Sequence, residues 1–359
     1  MLKFHALKVL AVERAAEDAA CVTVEVPAAL REEFAFHAGQ YVTVRRMIGQ
    51  REERRTYSIV TAPGGSVLKL GIRLHPSGLM SGELGAKLRP GELLDVGTPM
   101  GRFRTAISAE RAQAYVAFAA GSGITPILSL VTDILAREPR SRVTLIYGNR
   151  TISRTMFLEE ILALKNCYID RLSVHFVMTR EPQQTEWLNG RIDGTKVREL
   201  AGHMGEIPAA DEYLICGPGD MVDEVRNALK ELNGVAAIRF ERFAAGTARP
   251  LEVMIKEQVA PAPQEVLATI SVVMDGRRRS FPMAPGDASV LDAAERAGLE
   301  LPFSCRSGIC ATCRARITEG HAVMTHNIAL EPWETDAGFV LCCQARPTTA
   351  TLEISYDQK

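Results

Sequence analysis

The first hundred positions of the chain alternate hydrophobic and polar residues in short stretches. Residues 8–14, 21–26 and 39–45 carry branched and aromatic side chains in partial alternation, and the third stretch opens on a glycine. Short strands at such intervals are typical of an antiparallel β-barrel. The pattern therefore predicts a β-barrel domain at residues 1–107.

The hydrophobic pattern changes near residue 110, where a continuous apolar run replaces alternation. Residues 114–120 are apolar throughout, as expected for a strand buried on both faces of a parallel sheet. A glycine turn at residues 121–123 and an amphipathic helix reaching Leu135 follow, and this order is typical of a nucleotide-binding unit. We therefore predict an α/β domain with a parallel sheet at residues 108–243, with further strands at residues 143–148, 174–179 and 213–216.

A third pattern begins at residue 269. Residues 269–274 and 279–282 are predicted to pair as a hairpin across Asp275-Gly276, and a helix at residues 290–297 ends at Gly298. These elements predict an α+β domain at residues 269–359. The preceding residues 244–268 are rich in alanine and proline, which predicts a linker. Residues 251–255 within it are a candidate strand.

Cysteines in the C-terminal domain carry the strongest chemical signal. Cys305, Cys310 and Cys313 have the spacing C-x₄-C-x₂-C, and Cys342 and Cys343 follow later. This is the plant-type spacing for a [2Fe–2S] cluster, which requires four thiolates. A structural zinc site is the alternative, although such sites usually present two C-x₂-C pairs and this segment has one. Either Cys342 or Cys343 can provide the fourth thiolate.

Composition limits the partners and the compartment. The 42 basic and 43 acidic residues leave a net charge of −1, so neither a nucleic acid nor an anionic membrane is indicated as a partner. No signal segment opens the chain and no apolar run approaches the length of a membrane span. We therefore expect a cytoplasmic protein, and a reducing compartment suits the scattered cysteines Cys21, Cys167, Cys216 and Cys342.

Two barrel segments carry side chains suited to a nucleotide-like cofactor. Arg55 and Tyr57 are two residues apart, so both side chains point to one face of a strand. A guanidinium can hold a phosphate there, and the tyrosine can stack on a flat ring, with the Ser58 hydroxyl near the ring edge. Gly78 to Ser81 can open a helix whose N–H groups meet a pyrophosphate.

Taken in order with the glycine turn, these segments resemble the ferredoxin–NADP reductase superfamily. Arg55-x-Tyr57-Ser58 is similar to its flavin-binding signature, Gly78-x-x-Ser81 to its phosphate loop, and Pro99-x-Gly101-x-Phe103 to the close of its barrel. Ser77-Gly78 departs from the paired glycines of that loop. The resemblance implies that Tyr57 stacks on the isoalloxazine of FAD and that Ser58 hydrogen-bonds near N5. The other FAD contacts that it implies are Arg55 and Ser81 at the diphosphate, with Ile59, Ile72, Arg73, Gly78 and Met80.

The α/β domain resembles the nicotinamide domain of the same superfamily in two turns. Residues 121–126 are similar to its first turn, so Gly123 and Thr125 are expected to face the dinucleotide. Cys216-Gly217-Pro218 is similar to its second turn. There Gly217 and Pro218 allow close approach, and Cys216 is expected to position the nicotinamide and not to act as a nucleophile.

A carboxylate that binds the ribose at the end of the strand at residues 143–148 would favour NAD. The chain has basic residues there instead. Arg150, Thr151 and Arg154 occupy this region, and guanidinium groups suit a 2′-phosphate. NADPH is therefore the expected electron donor, with NADH as the alternative.

The C-terminal domain resembles plant-type ferredoxins, which implies a β-grasp fold. Leu341-x-Cys343-Gln344 is similar to their closing segment. The resemblance therefore implies that the cluster ligands are Cys305, Cys310, Cys313 and Cys343, and that Cys342 is a packing residue.

Over nearly the full length, the resemblance narrows to reductase components of the phenylacetyl-CoA epoxidase type. It implies an NADPH-dependent reductase that passes electrons through FAD and a [2Fe–2S] cluster to a di-iron oxygenase in phenylacetate catabolism. The alternatives are a reductase for another aromatic or steroid oxygenase or for a hybrid-cluster protein, and a non-catalytic iron–sulfur redox sensor. The segments that carry this resemblance are residues 4–9, 120–126, 147–151, 190–194 and 338–345.

Overall fold

A computed structural model describes residues 3–243 and 268–358 of the chain. The chain divides into two compact units, one from Phe4 to Ala245 and the other containing the C-terminal part from Gly246. The predicted linker lies outside the described residues except for Ala268, and so does its candidate strand.

The first unit begins with an antiparallel barrel between Phe4 and Gly97. Its strands have the order β4-β3-β6-β1-β2-β5, and a bridge between Ile59 and Leu70 joins the two edges. Leu68, Leu70 and Ile72 alternate along β5 and fill the interior, so the predicted barrel is confirmed. The strands are β1 (Phe4–Ala16), β2 (Ala19–Glu25), β3 (Tyr41–Ile48), β4 (Arg51–Ser58), β5 (Val67–Arg73) and β6 (Leu93–Gly97), and the short helix α1 (Leu79–Gly82) runs into a π-helical turn at Glu83–Lys87.

The same unit continues as a parallel sheet with the order β11-β10-β7-β8-β9. From β7 the chain adds β8 and β9 on one side of the sheet, and it then crosses over to add β10 and β11 on the other side. The confirmed α/β domain therefore has a topological switch point between β7 and β10, where such folds bind ligands. Its elements are β7 (Ala114–Ala120), α2 (Ile124–Arg137), β8 (Arg142–Asn149), α3 (Leu158–Cys167), β9 (Leu172–Met178), α4 (Gly194–His203), β10 (Glu212–Pro218), α5 (Gly219–Leu232) and β11 (Ala237–Phe243).

The barrel and the parallel sheet share one tightly packed boundary. A Cβ atom on Gly71 of β5 would lie 2.5 Å from Cγ2 of Thr125 and 2.8 Å from Cε2 of Phe157. Ser129 of α2 donates a hydrogen bond of 2.7 Å to the carbonyl of Thr61. Only a glycine therefore fits at this point of β5.

The second unit is a β-grasp domain, as predicted. Within residues 268–358, a sheet has the order β13-β12-β18-β14-β16, with β12 and β18 parallel. The hairpin turn has positive φ at Asp275 (52°) and Gly276 (69°), as a type I′ turn requires. The elements are β12 (Thr269–Met274), β13 (Arg277–Pro282), α6 (Val290–Arg296), β14 (Arg314–Glu319), β15 (Ala322–Met324), α7 (Pro332–Asp336), β16 (Phe339–Leu341), β17 (Ala345–Pro347) and β18 (Thr351–Ser355).

In neither described range does any helix combine the length and the apolar character needed to cross a bilayer.

Candidate functional site

The two glycine turns of the α/β domain meet at the switch point. A Cβ atom on Gly123, which follows β7, would lie 2.2 Å from the carbonyl oxygen of Cys216 at the end of β10. Thr125 is buried, and its hydroxyl donates to the carbonyl of Ser122 at 2.9 Å. The structure thus brings Gly123 and Cys216 together. Thr125 is placed inside the turn and against Gly71, so its role toward the dinucleotide stays a prediction.

An acid that was not predicted from the sequence lies beside Cys216 and has one buried carboxylate oxygen. Glu241 of β11 pairs in register with Cys216, and its Oε2 has no hydrogen-bond partner among the described residues. Burial raises the pKa of Glu241 to about 8. Burial also raises the pKa of the Cys216 thiol, and Glu241 adds to that effect. The Cys216 thiol therefore stays protonated near neutral pH, and its positioning role stays a prediction.

The second turn itself is closely packed. A Cβ atom on Gly217 would lie 2.8 Å from the sulfur of Met221, and Pro218 stands at the start of α5. Side chains therefore cover Gly217 on the side facing Met221, and the contact of Gly217 and Pro218 with a dinucleotide stays a prediction.

The predicted flavin residues come from three elements: β4, β5 and α1, which packs against β4. Tyr57 contacts the barrel core, and burial raises its pKa, so its phenol stays neutral. Ser58 is buried opposite Tyr41. The Arg55 guanidinium pairs with Glu53 at 2.9 Å and is half exposed, so a diphosphate there would share it with that carboxylate.

The phosphate loop is held together by Ser81. Its hydroxyl donates to the carbonyl of Gly78 at 3.2 Å and accepts from the N–H of His75 at 3.2 Å. Gly78 directly precedes α1, as predicted. The side chains of Ile59, Ile72 and Met80 lie in the barrel core. Any contact that these three make with FAD must therefore come mainly from their backbone atoms.

Arg73 is directed toward the nucleotide turn. Its Nη2 lies 3.8 Å from the position that a Cβ atom on Gly121 would occupy. Its Nη1 pairs with Asp18 and donates to the carbonyl of Arg154 at 3.1 Å. Asp18 also accepts from Nε of Arg154 at 2.8 Å. Both arginines are paired with Asp18, and the contact of Arg73 with FAD and that of Arg154 with NADP stay predictions.

A second pair of arginines lies at the carboxyl ends of β8 and β9. The N–H of Arg180 donates to the carbonyl of Arg150 at 2.9 Å, and both side chains are exposed. Thr151, next along the chain, has its hydroxyl 3.1 Å from that of Ser153. A cleft of about 260 Å³ opens beside Arg180 and reaches Gly190. The proximity of Arg180 to Arg150 depends on strand register, which sequence alone does not give.

The cysteine loop at residues 305–313 is shaped by three left-handed residues. Arg306 (φ 54°), Gly308 (φ 75°) and Ala311 (φ 54°) turn the backbone, and the N–H of Ser307 lies 3.4 Å from the sulfur of Cys305. A Cβ atom on Gly308 would lie 2.8 Å from the carbonyl oxygen of His326. The loop can therefore curl tightly only with glycine at this position.

The thiols form two pairs. Cys305 is hydrogen-bonded to Cys310, which lowers the pKa of Cys305 to about 5, and Cys343 is hydrogen-bonded to Cys313, which lowers its pKa as well. In the described residues, no three or more His, Cys, Asp and Glu side chains form a single-ion site. Two thiol pairs suit a cluster with two irons, each of which takes two sulfurs.

Cys342 has a different environment from its neighbour. It is fully buried, and burial raises its pKa to about 12. Its thiol lies beside the hydroxyl of Tyr356 in the hydrophobic core of the domain. Cys342 is therefore a packing residue of the core, and the assignment of Cys343 as the fourth cluster ligand stays a prediction.

Comparison with known families agrees with this three-part organisation. Residues 6–105 match the model for an oxidoreductase FAD-binding domain, and residues 118–227 match that for an oxidoreductase NAD-binding domain. Residues 272–348 match the model for a 2Fe-2S iron-sulfur cluster binding domain. The three matches follow the order of the barrel, the parallel sheet and the β-grasp domain.

Full-length relatives decide the family. The chain is 37% identical over 360 residues to a 1,2-phenylacetyl-CoA epoxidase subunit from Escherichia coli (strain K12), covering 100% of this chain and 99% of that protein. The chain belongs to the ferredoxin–NADP reductase superfamily. This reductase has the C-terminal plant-type [2Fe–2S] domain, and it is an NAD(P)H-dependent oxidoreductase.

Two further similarities extend along the whole reductase. It is 29% identical to the ferredoxin reductase component of 3-ketosteroid-9-alpha-monooxygenase from Rhodococcus rhodochrous, over 98% of this chain and 96% of that protein. The structure of phthalate dioxygenase reductase matches with a TM-score of 0.57 and 20% identity, covering 98% of each chain. That structural likeness is evidence for the fold alone.

Proposed function

We propose that the reductase takes electrons from NADPH and passes them through FAD and the [2Fe–2S] cluster to the di-iron oxygenase component of a phenylacetyl-CoA epoxidase. The observation that carries this proposal is the 37% identity with the epoxidase subunit along both complete chains. The redox-sensor alternative needs no pyridine-nucleotide site, whereas residues 118–227 match an NAD-binding domain.

The chemistry requires a converter between two-electron and one-electron steps, and bound FAD supplies it because flavin is stable in both kinds of step. The protein residues bind and orient. Tyr57 and Ser58 would hold the flavin ring, and Arg55 and Ser81 would hold its diphosphate. At the switch point, Cys216 would position the nicotinamide.

Glu241 and four cysteines complete the site that we propose. Glu241 would hold a proton beside the nicotinamide, because its carboxyl is buried next to Cys216. In the second unit, the thiol pairs Cys305–Cys310 and Cys313–Cys343 would ligate the two irons.

The preference for NADPH is supported by Arg150 and Arg180. The backbones of these two residues are hydrogen-bonded to each other at the carboxyl edge of the sheet, so both guanidinium groups start from neighbouring positions. The neighbouring carboxylate of Glu181 keeps its charge but is directed at the N–H of Ile152, from which it accepts at 2.7 Å. A 2′-phosphate would meet two positive charges there, and Arg180 was not predicted from the sequence.

The preference can be tested with Arg150→Gln and Arg180→Gln. Each should raise the KM for NADPH several-fold and leave that for NADH nearly unchanged, because only NADPH carries the 2′-phosphate. Arg198→Gln is the matched control, since Arg198 pairs with Glu231 at 2.6 Å on the helices α4 and α5. An equal rise for both nucleotides would contradict this assignment.

The partner can be tested by reconstitution. The purified reductase, the epoxidase component and phenylacetyl-CoA should couple NADPH oxidation to epoxide formation. Cys310→Ser should abolish this coupling but spare NADPH oxidation by an artificial two-electron dye. Equal loss of dye reduction would contradict the separation of roles. The similarity to the Rhodococcus protein supports a second candidate partner, a 3-ketosteroid monooxygenase. Faster turnover with that monooxygenase than with the epoxidase would identify it as the partner.

A further inference from the structure

Asp18 lies between two arginines from different parts of the first unit. It occupies the turn between β1 and β2, and its two carboxylate oxygens take separate partners, Arg73 from β5 and Arg154 from the segment after β8. Burial by itself would raise the pKa of Asp18, but the hydrogen bonds and charges of Arg154 and Arg73 bring it below its ordinary value. The carboxyl is therefore ionised at neutral pH, and the group of three carries one net positive charge.

This group borders the site where the dinucleotide is expected. Arg73 reaches the position beside Gly121, at the first turn of the switch point. The carbonyl of Gly121 accepts from the hydroxyl of Tyr147 at 2.8 Å, which fixes the turn next to the guanidinium. A phosphate bound at this turn would thus come close to Arg73, and Arg154 is linked to Arg73 through a hydrogen bond and through Asp18.

We propose that Asp18 is an internal counter-ion that competes with the phosphates of the bound pyridine nucleotide for Arg73 and Arg154. The carboxylate neutralises one of the two positive charges in the free protein. A phosphate must therefore share or replace an existing ion pair, which weakens nucleotide binding and favours release of the oxidised product. This inference rests on the pyridine-nucleotide site of the proposed function.

A purely structural role for Asp18 predicts the opposite change. The same turn is also fastened to the α/β domain by Glu17, a contact that we call the clamp. The N–H of Glu17 donates to the carbonyl of Ser153 at 2.8 Å, and its carboxylate accepts from the Ser153 hydroxyl at 2.7 Å. If Asp18 only extended this clamp, its removal would loosen the segment that carries Arg154. Nucleotide binding would then weaken, so the sign of the change separates the two roles.

The experiment measures the Kd of NADP⁺ and of NAD⁺ for the full-length reductase loaded with FAD and cluster, by calorimetry at low and high NaCl. Asp18→Asn should lower the Kd of NADP⁺ by about fivefold at low salt, since one opposing charge is removed at a partly buried site. The gain should shrink at high salt, because ions screen the freed guanidinium groups. A similar gain is expected for NAD⁺, since the diphosphate is common to both nucleotides and the 2′-phosphate is assigned to Arg150 and Arg180.

Glu17→Gln is the matched control, because it removes the same charge from the same turn but leaves both arginines paired; its Kd values should stay near those of the wild type. Asp18→Ser should repeat the result of Asp18→Asn if the asparagine variant folds poorly. An unchanged or higher Kd of NADP⁺ in the folded variants would overturn the proposal. A wild-type protein that binds neither nucleotide would instead refute the proposed function, and this inference with it.

Discussion

Gly123→Ala tests whether the two nicotinamide-side turns must touch for hydride transfer. Gly123 has an ordinary helical conformation (φ −60°), so alanine meets no backbone strain there. Its Cβ atom would nevertheless lie 2.2 Å from the Cys216 carbonyl oxygen and 2.6 Å from its carbon. Ordinary van der Waals contact begins near 3.4 Å, so the two turns must separate by about 1.2 Å.

This displacement should be costly in both stability and rate. Overpacking a rigid site costs about 1–3 kcal/mol. A shift of about 1 Å at a reacting centre can cost on the order of 10²-fold in rate. Because the displaced carbonyl belongs to Cys216, we expect the larger effect on flavin reduction by NADPH. FAD content and the cluster spectrum should stay unchanged.

The assay is anaerobic stopped-flow absorption of flavin reduction, together with urea denaturation. Gly91→Ala is the matched control: Gly91 has φ 94° and no atom within 4 Å of an added Cβ. Alanine there costs about 1–2 kcal/mol through its left-handed backbone alone and should leave flavin reduction at the wild-type rate. If Gly123→Ala reduced flavin as fast as the wild type, close contact between the turns would not be required.

Three further predictions concern the cluster, the buried acid and the domain boundary. Cys343→Ser should lose the visible absorption and the iron of the cluster whereas Cys342→Ser keeps both, and the reverse result would reassign the fourth ligand. Because burial raises the folded-state pKa of Glu241 to about 8 from 4.5, its contribution to stability is complete below pH 4.5 and is lost as pH rises through 8. The free energy of unfolding of the wild type should therefore fall relative to Glu241→Gln between pH 5 and 9 in urea titrations, and parallel profiles would argue against a buried carboxyl. Ser129→Ala removes the hydrogen bond to the Thr61 carbonyl and should lower the free energy of unfolding by about 1 kcal/mol, whereas no loss would indicate that water replaces the hydroxyl.

Much of the fold could be predicted because its signals are local. The apolar run at residues 114–120 and the turn before Ile124 identify β7 and α2 by themselves. The type I′ turn at Asp275-Gly276 follows from its two residues. Each of these features depends on neighbours in the sequence, where propensity and hydrophobic pattern act directly.

The unpredicted parts of the site depend on contacts between distant segments. Asp18, Arg73 and Arg154 meet only because the barrel and the sheet pack together, and no spacing in the chain indicates this. Glu241 faces Cys216 through the register of β10 and β11. The available signal in the sequence was an acidic residue between the phenylalanines at residues 240–243. It becomes informative only once the register of β10 and β11 is known.

The packing at Gly71 has a consequence for how the reductase works. With Thr125 and Phe157 packed against this glycine, the barrel and the parallel sheet are held closely together at this boundary, and we expect them to move together. Entry of a dinucleotide then cannot depend on domain closure. The adjustments that admit and release it must be small, local movements of exposed arginines and turn residues along the carboxyl edge of the sheet.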